Sequence, residues 1–224
     1  MHIDFSYLLA IVPELLHYLP VVLFIAVLSF LFAVLCGLAF AAVIQRRLPL
    51  FYPLLLVLVS FLRGVPALVQ IFILYFGLPQ LLPALSAMNA MTAVILALSL
   101  RNAAYLAEVF RSALMAVDPG QYEAALSVNM SRRQAYWRVV LPQAARIALP
   151  PAGTFFILIL KDTSLAFTIG VVDLFAQAKI MAAASYKFLE AYLAVGLIYW
   201  VLTVLFSFLQ ARLERRASRP YQRS

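Results

Sequence analysis

The chain is short of charge and nearly free of cysteine. Asp, Glu, Lys and Arg make up only 12% of its 224 residues, while 66% are hydrophobic and the mean hydropathy is +0.99. A soluble domain carries about a quarter charged residues and about half apolar ones, so this composition excludes one and indicates an integral membrane protein. The single cysteine, Cys36, lies in an apolar run. No disulfide can form within the chain, and Cys36 reads as a small packed or lipid-facing residue. There are two histidines, His2 and His17, and neither has a second ligand at metal-binding spacing. Hydrolytic and redox motifs are missing as well: no His-Glu-x-x-His, no Gly-x-Ser-x-Gly, no phosphate-cradling Walker sequence and no Cys-x-x-Cys. The chain is therefore not expected to be an enzyme, to hold a metal or cofactor, or to hydrolyse ATP itself. The net charge of +8 has no basic face interleaved with aromatics behind it, which argues against nucleic acid as a partner.

The apolar residues fall into spans. Residues 1–18 hold Asp4 and Glu14 but no Lys or Arg, unlike the basic start of a signal peptide, and read as an extracytoplasmic interfacial segment. Pro20 to Ile44 is uncharged and long enough to cross a bilayer. Leu48 to Leu82 would reach roughly 50 Å as one straight helix, well beyond a hydrocarbon core of about 30 Å. It must break, and Arg63-Gly-Val-Pro66 is the place. That leaves 48–62 near the interface, a second span at 64–82, and Arg63 snorkelling to the headgroups. Further spans are expected at 88–108, 150–171 and 190–210. Twelve basic residues (Arg46, Arg47, five arginines from Arg111 to Arg146 and five from Arg212 to Arg223) fall on one side of this arrangement, against Lys179 and Lys187 on the other. The positive-inside rule then makes the 118–142 loop and the C-terminus cytoplasmic and the N-terminus external.

The most heavily punctuated stretch is that loop. Asp118 is a good N-cap, Pro119 suits the first helical position, and Gln121 stands at capping-box spacing. A short helix through Glu123, Ala124 and Ala125 is expected to end at Asn129, which tolerates a left-handed cap. Ser131 with Gln134 opens a second helix, expected to stop near Leu141, before Pro142. The pattern is that of a docking helix-turn-helix for a soluble partner.

Ionisable residues within spans are costly and are functional candidates for that reason. Lys161 and Asp162 diverge by about 100° around the fourth span, and either line a path or pack helices. Asn102 and Tyr105 at i, i+3 share a face, as do Arg101 and Tyr105 at i, i+4, with donors and acceptors suited to a zwitterion. The competing reading has Arg101 salt-bridged to Asp162. Glu108 is either a path residue or the partner of Arg111 at i+3.

Glu123-Ala-Ala125, the turn at 129 and Leu141-Pro142 resemble the EAA loop of ABC-transporter permeases. Arg63-Gly-Val-Pro66, Gln70, Tyr75-Phe-Gly-Leu-Pro79, Ala104-Tyr-Leu-Ala-Glu108, Leu141-Pro-Gln-Ala-Ala-Arg146 and Lys161-Asp-Thr-Ser-Leu165 are similar to the polar amino-acid branch. The likeness covers roughly residues 18–211. Two departures are Asn129, where the family has Gly, and Arg101-Asn102, where relatives carry small polar residues. The resemblance implies an all-α type I ABC importer transmembrane domain at 19–211 with five spans, followed by a basic cytoplasmic tail at 212–224. It also implies a bacterial inner-membrane permease that imports an amino acid, cystine or a related polar one. Gly120, Glu123, Ala124, Ala125, Asn129, Leu141 and Pro142 would dock ABC ATPase subunits that carry ATP and Mg. Arg101, Asn102, Tyr105, Glu108, Lys161 and Asp162 would form the substrate path. A second permease subunit, a solute-binding protein outside and membrane lipid complete the implied partners. The alternative is a membrane scaffold or sensor that docks a cytoplasmic protein without transporting anything.

Overall fold

The computed structural model describes residues 3–218; His2 and the end of the basic tail, 219–224, lie outside the described residues. Helix α1, Phe5–His17, begins at Asp4, whose side chain accepts from the Tyr7 N–H at 3.0 Å. Its Leu8, Ile11 and Leu15 recur at helical spacing and are buried. Helix α2, Leu19–Arg46, is apolar throughout and ends at Arg47 in the left-handed region (φ 46°). The next segment breaks as expected. Helix α3, Phe51–Gly64, and helix α4, Ala67–Leu81, meet at 117°. Pro66 has no N–H to offer the Leu62 carbonyl. The buried Gln70 replaces it, its Nε2 donating to the Leu62 and Val65 carbonyls at 2.8 Å each.

Helix α5, Ala90–Met115, is capped by Asn89, which accepts from the Thr92 N–H at 2.8 Å. It is buried on most sides and forms the centre of the bundle. Its main neighbour is α2, where Ala33, Gly37 and Ala41 make a buried small-residue stripe. A Cβ at Gly37 would stand 3.0 Å from the Leu106 Cβ, so glycine lets the two backbones approach closely.

Helix α6, Pro119–Ser127, and helix α7, Arg132–Ile169, follow. Here the structure corrects the sequence reading: α7 does not stop before Pro142. It runs on for 38 residues into what was expected to be a separate span beginning near Pro150. A π-helical turn at Tyr136–Val140 absorbs the proline, with the Leu141 N–H reaching the Tyr136 carbonyl. The same device precedes Pro79, where Ile73–Gly77 is π-helical. The last part of α7, Thr163–Ile169, tightens to 3-10 geometry and ends at Gly170 (φ 90°).

Helix α8, Leu174–Ser185, is capped by Asp173, and helix α9, Phe188–Ser218, is the last helix of the described residues. Four helices (α2, α5, α7 and α9) are long and apolar enough to cross a membrane, and the bent pair α3 with α4 brings the number to five if it is counted as one span. The arrangement is the all-α one expected, with four spans by length and composition and the expected five when the bent pair counts as one. The helices extend past the expected span limits because their charged ends remain helical beyond the apolar stretch. Helix α1 packs on α8 and α9. Lys187 pairs with Asp4 at 2.6 Å, Glu190 accepts from the Asp4 N–H at 3.1 Å, and Gln177 donates to Glu14 at 2.7 Å.

Candidate functional site

Two regions carry the chemistry. The first is the α6–α7 loop. Asp118 Oδ1 accepts from the Gly120 N–H at 2.8 Å, so the N-cap forms, but Gln121 does not reach back; its Oε1 accepts from Gln143 at 3.3 Å instead. At Ser131 the reciprocal capping box is complete: Ser131 Oγ accepts from the Gln134 N–H at 3.3 Å and Gln134 Oε1 from the Ser131 N–H at 2.9 Å. Asn129 adopts φ 63°. The Met130 N–H bonds to the Ala125 carbonyl and the Asn129 N–H to the Leu126 carbonyl, a Schellman motif with Asn in the position usually held by Gly.

Glu123 and Ala124 are exposed on α6, and Glu123 makes no ion pair among the described residues. Ala125 is buried, so it supports the packing of the loop and is not free to touch a partner. Pro142 is exposed on α7 and Leu141 is half-buried. The sequence reading missed the apolar surface beside these residues: Val128 is 68% exposed and Trp137 61%, with Leu126 and Tyr136 also exposed. Arg132, Arg133 and Arg138 lie in the same short stretch and are exposed. The aromatic-arginine run was visible in the sequence, but its exposure was not.

The second region is a cleft of about 440 Å³ between α3, α5 and α7, lined by Arg63, Tyr105, Glu108, Ser112, Pro151 and Phe155 among others. Tyr105 is its centre. Its ring stacks on Phe155 with centroids 5.6 Å apart, and its hydroxyl donates to the Arg63 carbonyl at 3.0 Å. The guanidinium carbons of Arg63 and Arg101 lie 5.4 and 5.5 Å from the centre of that ring. Arg101 Nη1 donates to Asp162 Oδ2 at 3.4 Å, joining α5 to α7 in the helix-to-helix pair the sequence allowed.

The other candidates separate. Glu108 is held by Arg111 through two bonds, 2.5 Å from Nη2 and 3.2 Å from Nε. Asn102 is fully buried, donates to the Leu98 carbonyl at 2.7 Å and leaves Oδ1 without a partner; it does not share the cleft with Tyr105. The two are only three residues apart, yet the boundary between packed and open surface on α5 runs between them. Lys161 is exposed and directed away from the half-buried Asp162, as the 100° helical step requires. Arg63, expected near the headgroups, also lines the cleft; its place just before the Gly64-to-Pro66 corner was the available signal. No three His, Cys, Asp or Glu converge as a metal site among the described residues.

Residues 33–219 match the family described as binding-protein-dependent transport system inner membrane component. The chain belongs to that family. It is 50% identical to the probable amino-acid permease protein YxeN of Bacillus subtilis (strain 168), covering 98% of each chain. It is 41% identical to the L-cystine transport system permease protein TcyL of the same organism, over 92% of this chain and 87% of that one. Among solved structures, one described as an amino acid ABC transporter with histidines superposes with a TM-score of 0.87 at 35% identity, over 96% of this chain and all of that one. The protein is thus an ABC-transporter permease and not an enzyme.

Proposed function

We propose that this permease forms the translocation path of an ATP-driven amino-acid importer and couples to a separate ATPase through α6 and the start of α7. The observation that carries the coupling is the loop itself. Two caps and a Schellman turn fix a short helix that leaves Glu123, Ala124 and an apolar-arginine surface exposed, with a continuous helix leading from it to Asp162. A linker needs none of this order. ATP and Mg bind on the partner ATPase, and its closure moves α6. Two permease subunits, identical or different, enclose the path, and a solute-binding protein delivers substrate at the α1–α8 end.

The distribution of arginines supports a cytoplasmic loop and C-terminus and an external N-terminus in the bacterial inner membrane. Within the path, Tyr105 and Glu108 line the cleft and Arg101, paired with Asp162, lies over the Tyr105 ring, whereas Asn102 serves packing. The substrate is a polar amino acid, with cystine favoured by the likeness to TcyL. A scaffold without transport would have no use for ionisable residues such as Arg63 and Glu108 in a cleft between spans. The test is copurification of the ATPase together with substrate uptake in membrane vesicles. Loss of both on disruption of α6 supports the reading, and normal uptake with α6 disrupted refutes it.

A further inference from the structure

A groove of about 350 Å³ runs between α2 and α3 and shares no residue with the cleft at Tyr105. Its lining is apolar throughout. Ala39 and Val43 come from α2, and Phe51, Leu54, Leu55 and Leu58 from α3. The helical spacing leads this face to charge. Ala39, Val43 and Arg46 stand at i, i+4 and i+7, so Arg46 ends the α2 wall about 4.5 Å further along the helix than Val43. Arg47 follows directly, in the short turn that brings the chain back to Phe51.

Both arginines are exposed, and neither pairs with a carboxylate among the described residues. From residue 15 to residue 107 the sequence has no Asp or Glu. On α5, which packs on α2 and α3, Glu108 is held by Arg111, and Asp118 just beyond it caps α6. Arg47 also adopts φ 46°, a conformation that glycine takes freely and arginine takes at a steric cost. A charge is kept where the backbone alone favours its removal.

We propose that the α2–α3 groove seats an acyl chain of an anionic phospholipid whose phosphate is held by Arg46 and Arg47. An apolar groove at the end of a membrane span, closed by two unpaired guanidinium groups, complements both parts of such a molecule. A second copy of the chain would cover the apolar walls but bring no counter-charge from its own α2 and α3.

The purified transporter in detergent is given equal amounts of dioleoyl phosphatidylglycerol and dioleoyl phosphatidylcholine. Excess lipid is removed and the retained lipid is counted by native mass spectrometry. The acyl chains are the same, so the ratio reads the headgroup alone. The unaltered chain should retain phosphatidylglycerol over phosphatidylcholine by about tenfold. Arg46→Gln with Arg47→Gly should bring the ratio near one, and glycine suits the backbone at 47, so this variant keeps its fold. Arg215→Gln with Arg216→Gln removes the same charge from α9 and should leave the ratio unchanged. Leu54→Trp and Ala39→Trp fill the groove from its two exposed walls and should each lower retained phosphatidylglycerol with both arginines in place. An equal loss in the two arginine variants would reveal diffuse charge only and overturn the proposal. Full retention in both tryptophan variants, or equal retention of the two lipids by the unaltered chain, would overturn it as well. So would retention of neither lipid; if the tryptophan variants then split the permease pair, the groove is a subunit interface.

Discussion

Gln210 on α9 fills the space that a side chain at Gly153 on α7 would need, and its amide donates to the Pro150 carbonyl at 2.9 Å. The amide is held from the other side by Glu214 Oε1 at 2.8 Å, so it has little freedom to retreat. Gly153→Ala should displace it and lose the bond, a cost of about 1–2 kcal/mol. The thermal midpoint in detergent should fall. Gly153→Ala combined with Gln210→Ala should cost less than the sum of the single changes, because the clash disappears with the amide. Strict additivity would show that the two residues do not share the space.

The Arg101–Asp162 pair joins the helix at the centre of the bundle to the one that leads to the loop. Asp162→Asn leaves a half-buried arginine without its charged partner. Uptake is expected to fall on the order of tenfold, which matches the lower range for a charged hydrogen bond. Membrane level and ATPase copurification should be unchanged. If the subunit disappears from the membrane, the pair serves folding and not transport.

Glu123→Lys reverses an exposed charge beyond the first turn of α6, where the helix dipole opposes the change by less than the usual ~0.3–1 kcal/mol. That cost is too small to unfold the protein, so insertion should be normal while ATPase retention and transport are lost. Asn129→Gly should be neutral or slightly stabilising, since the backbone there is already left-handed. Copurification and uptake of both variants check the pair, and normal coupling in Glu123→Lys would reduce the loop to a linker.

Reporter fusions after Arg47, within 118–142 and after Arg212 should all read cytoplasmic, given twelve basic residues against two. An external signal from the loop would overturn the orientation and the coupling argument together.

Asp173 gives a pH dependence of definite sign. Burial pushes its carboxyl above the ordinary 3.8, and although Oδ1 caps the Ala176 N–H at 2.9 Å, Oδ2 is buried without a partner. The folded state therefore holds this proton more tightly than the unfolded one. Its stabilising contribution is complete below pH 3.8, declines as pH rises through the elevated folded value, and is absent above it. Asp173→Asn keeps the cap acceptor without the charge. Between about pH 4 and pH 8 the thermal midpoint of the unaltered chain should drop more than that of the variant. Parallel curves would refute this.

The spans, the break at Arg63 to Pro66 and the caps at Asp118, Asn129 and Ser131 were legible because each follows from local chemistry: hydropathy, a missing N–H, or a side chain that mimics a backbone acceptor. The continuity of α7 was not. Proline rules predict a stop at Pro142, and only the π turn before it, stabilised in the folded bundle, lets the helix pass. The Arg101–Asp162 pair was legible as a possibility, since each residue was a charge in need of a partner. The assignment of Arg63 to the cleft and of Asn102 to packing was not, because it depends on the 117° corner and on which arc of α5 its neighbours cover.

The unbroken run of α7 makes the spacing of its residues a matter of phase. Between Leu141 and Asp162 there is no loop to take up slack. Inserting or deleting one residue there would turn Asp162 by about 100° and shift it by about 1.5 Å relative to the loop, away from Arg101. The short link at 83–89 carries no such bookkeeping. Along this chain, the length of the segment from Leu141 to Asp162 should therefore be held as strictly as any side chain in it, even where the residues between are interchangeable.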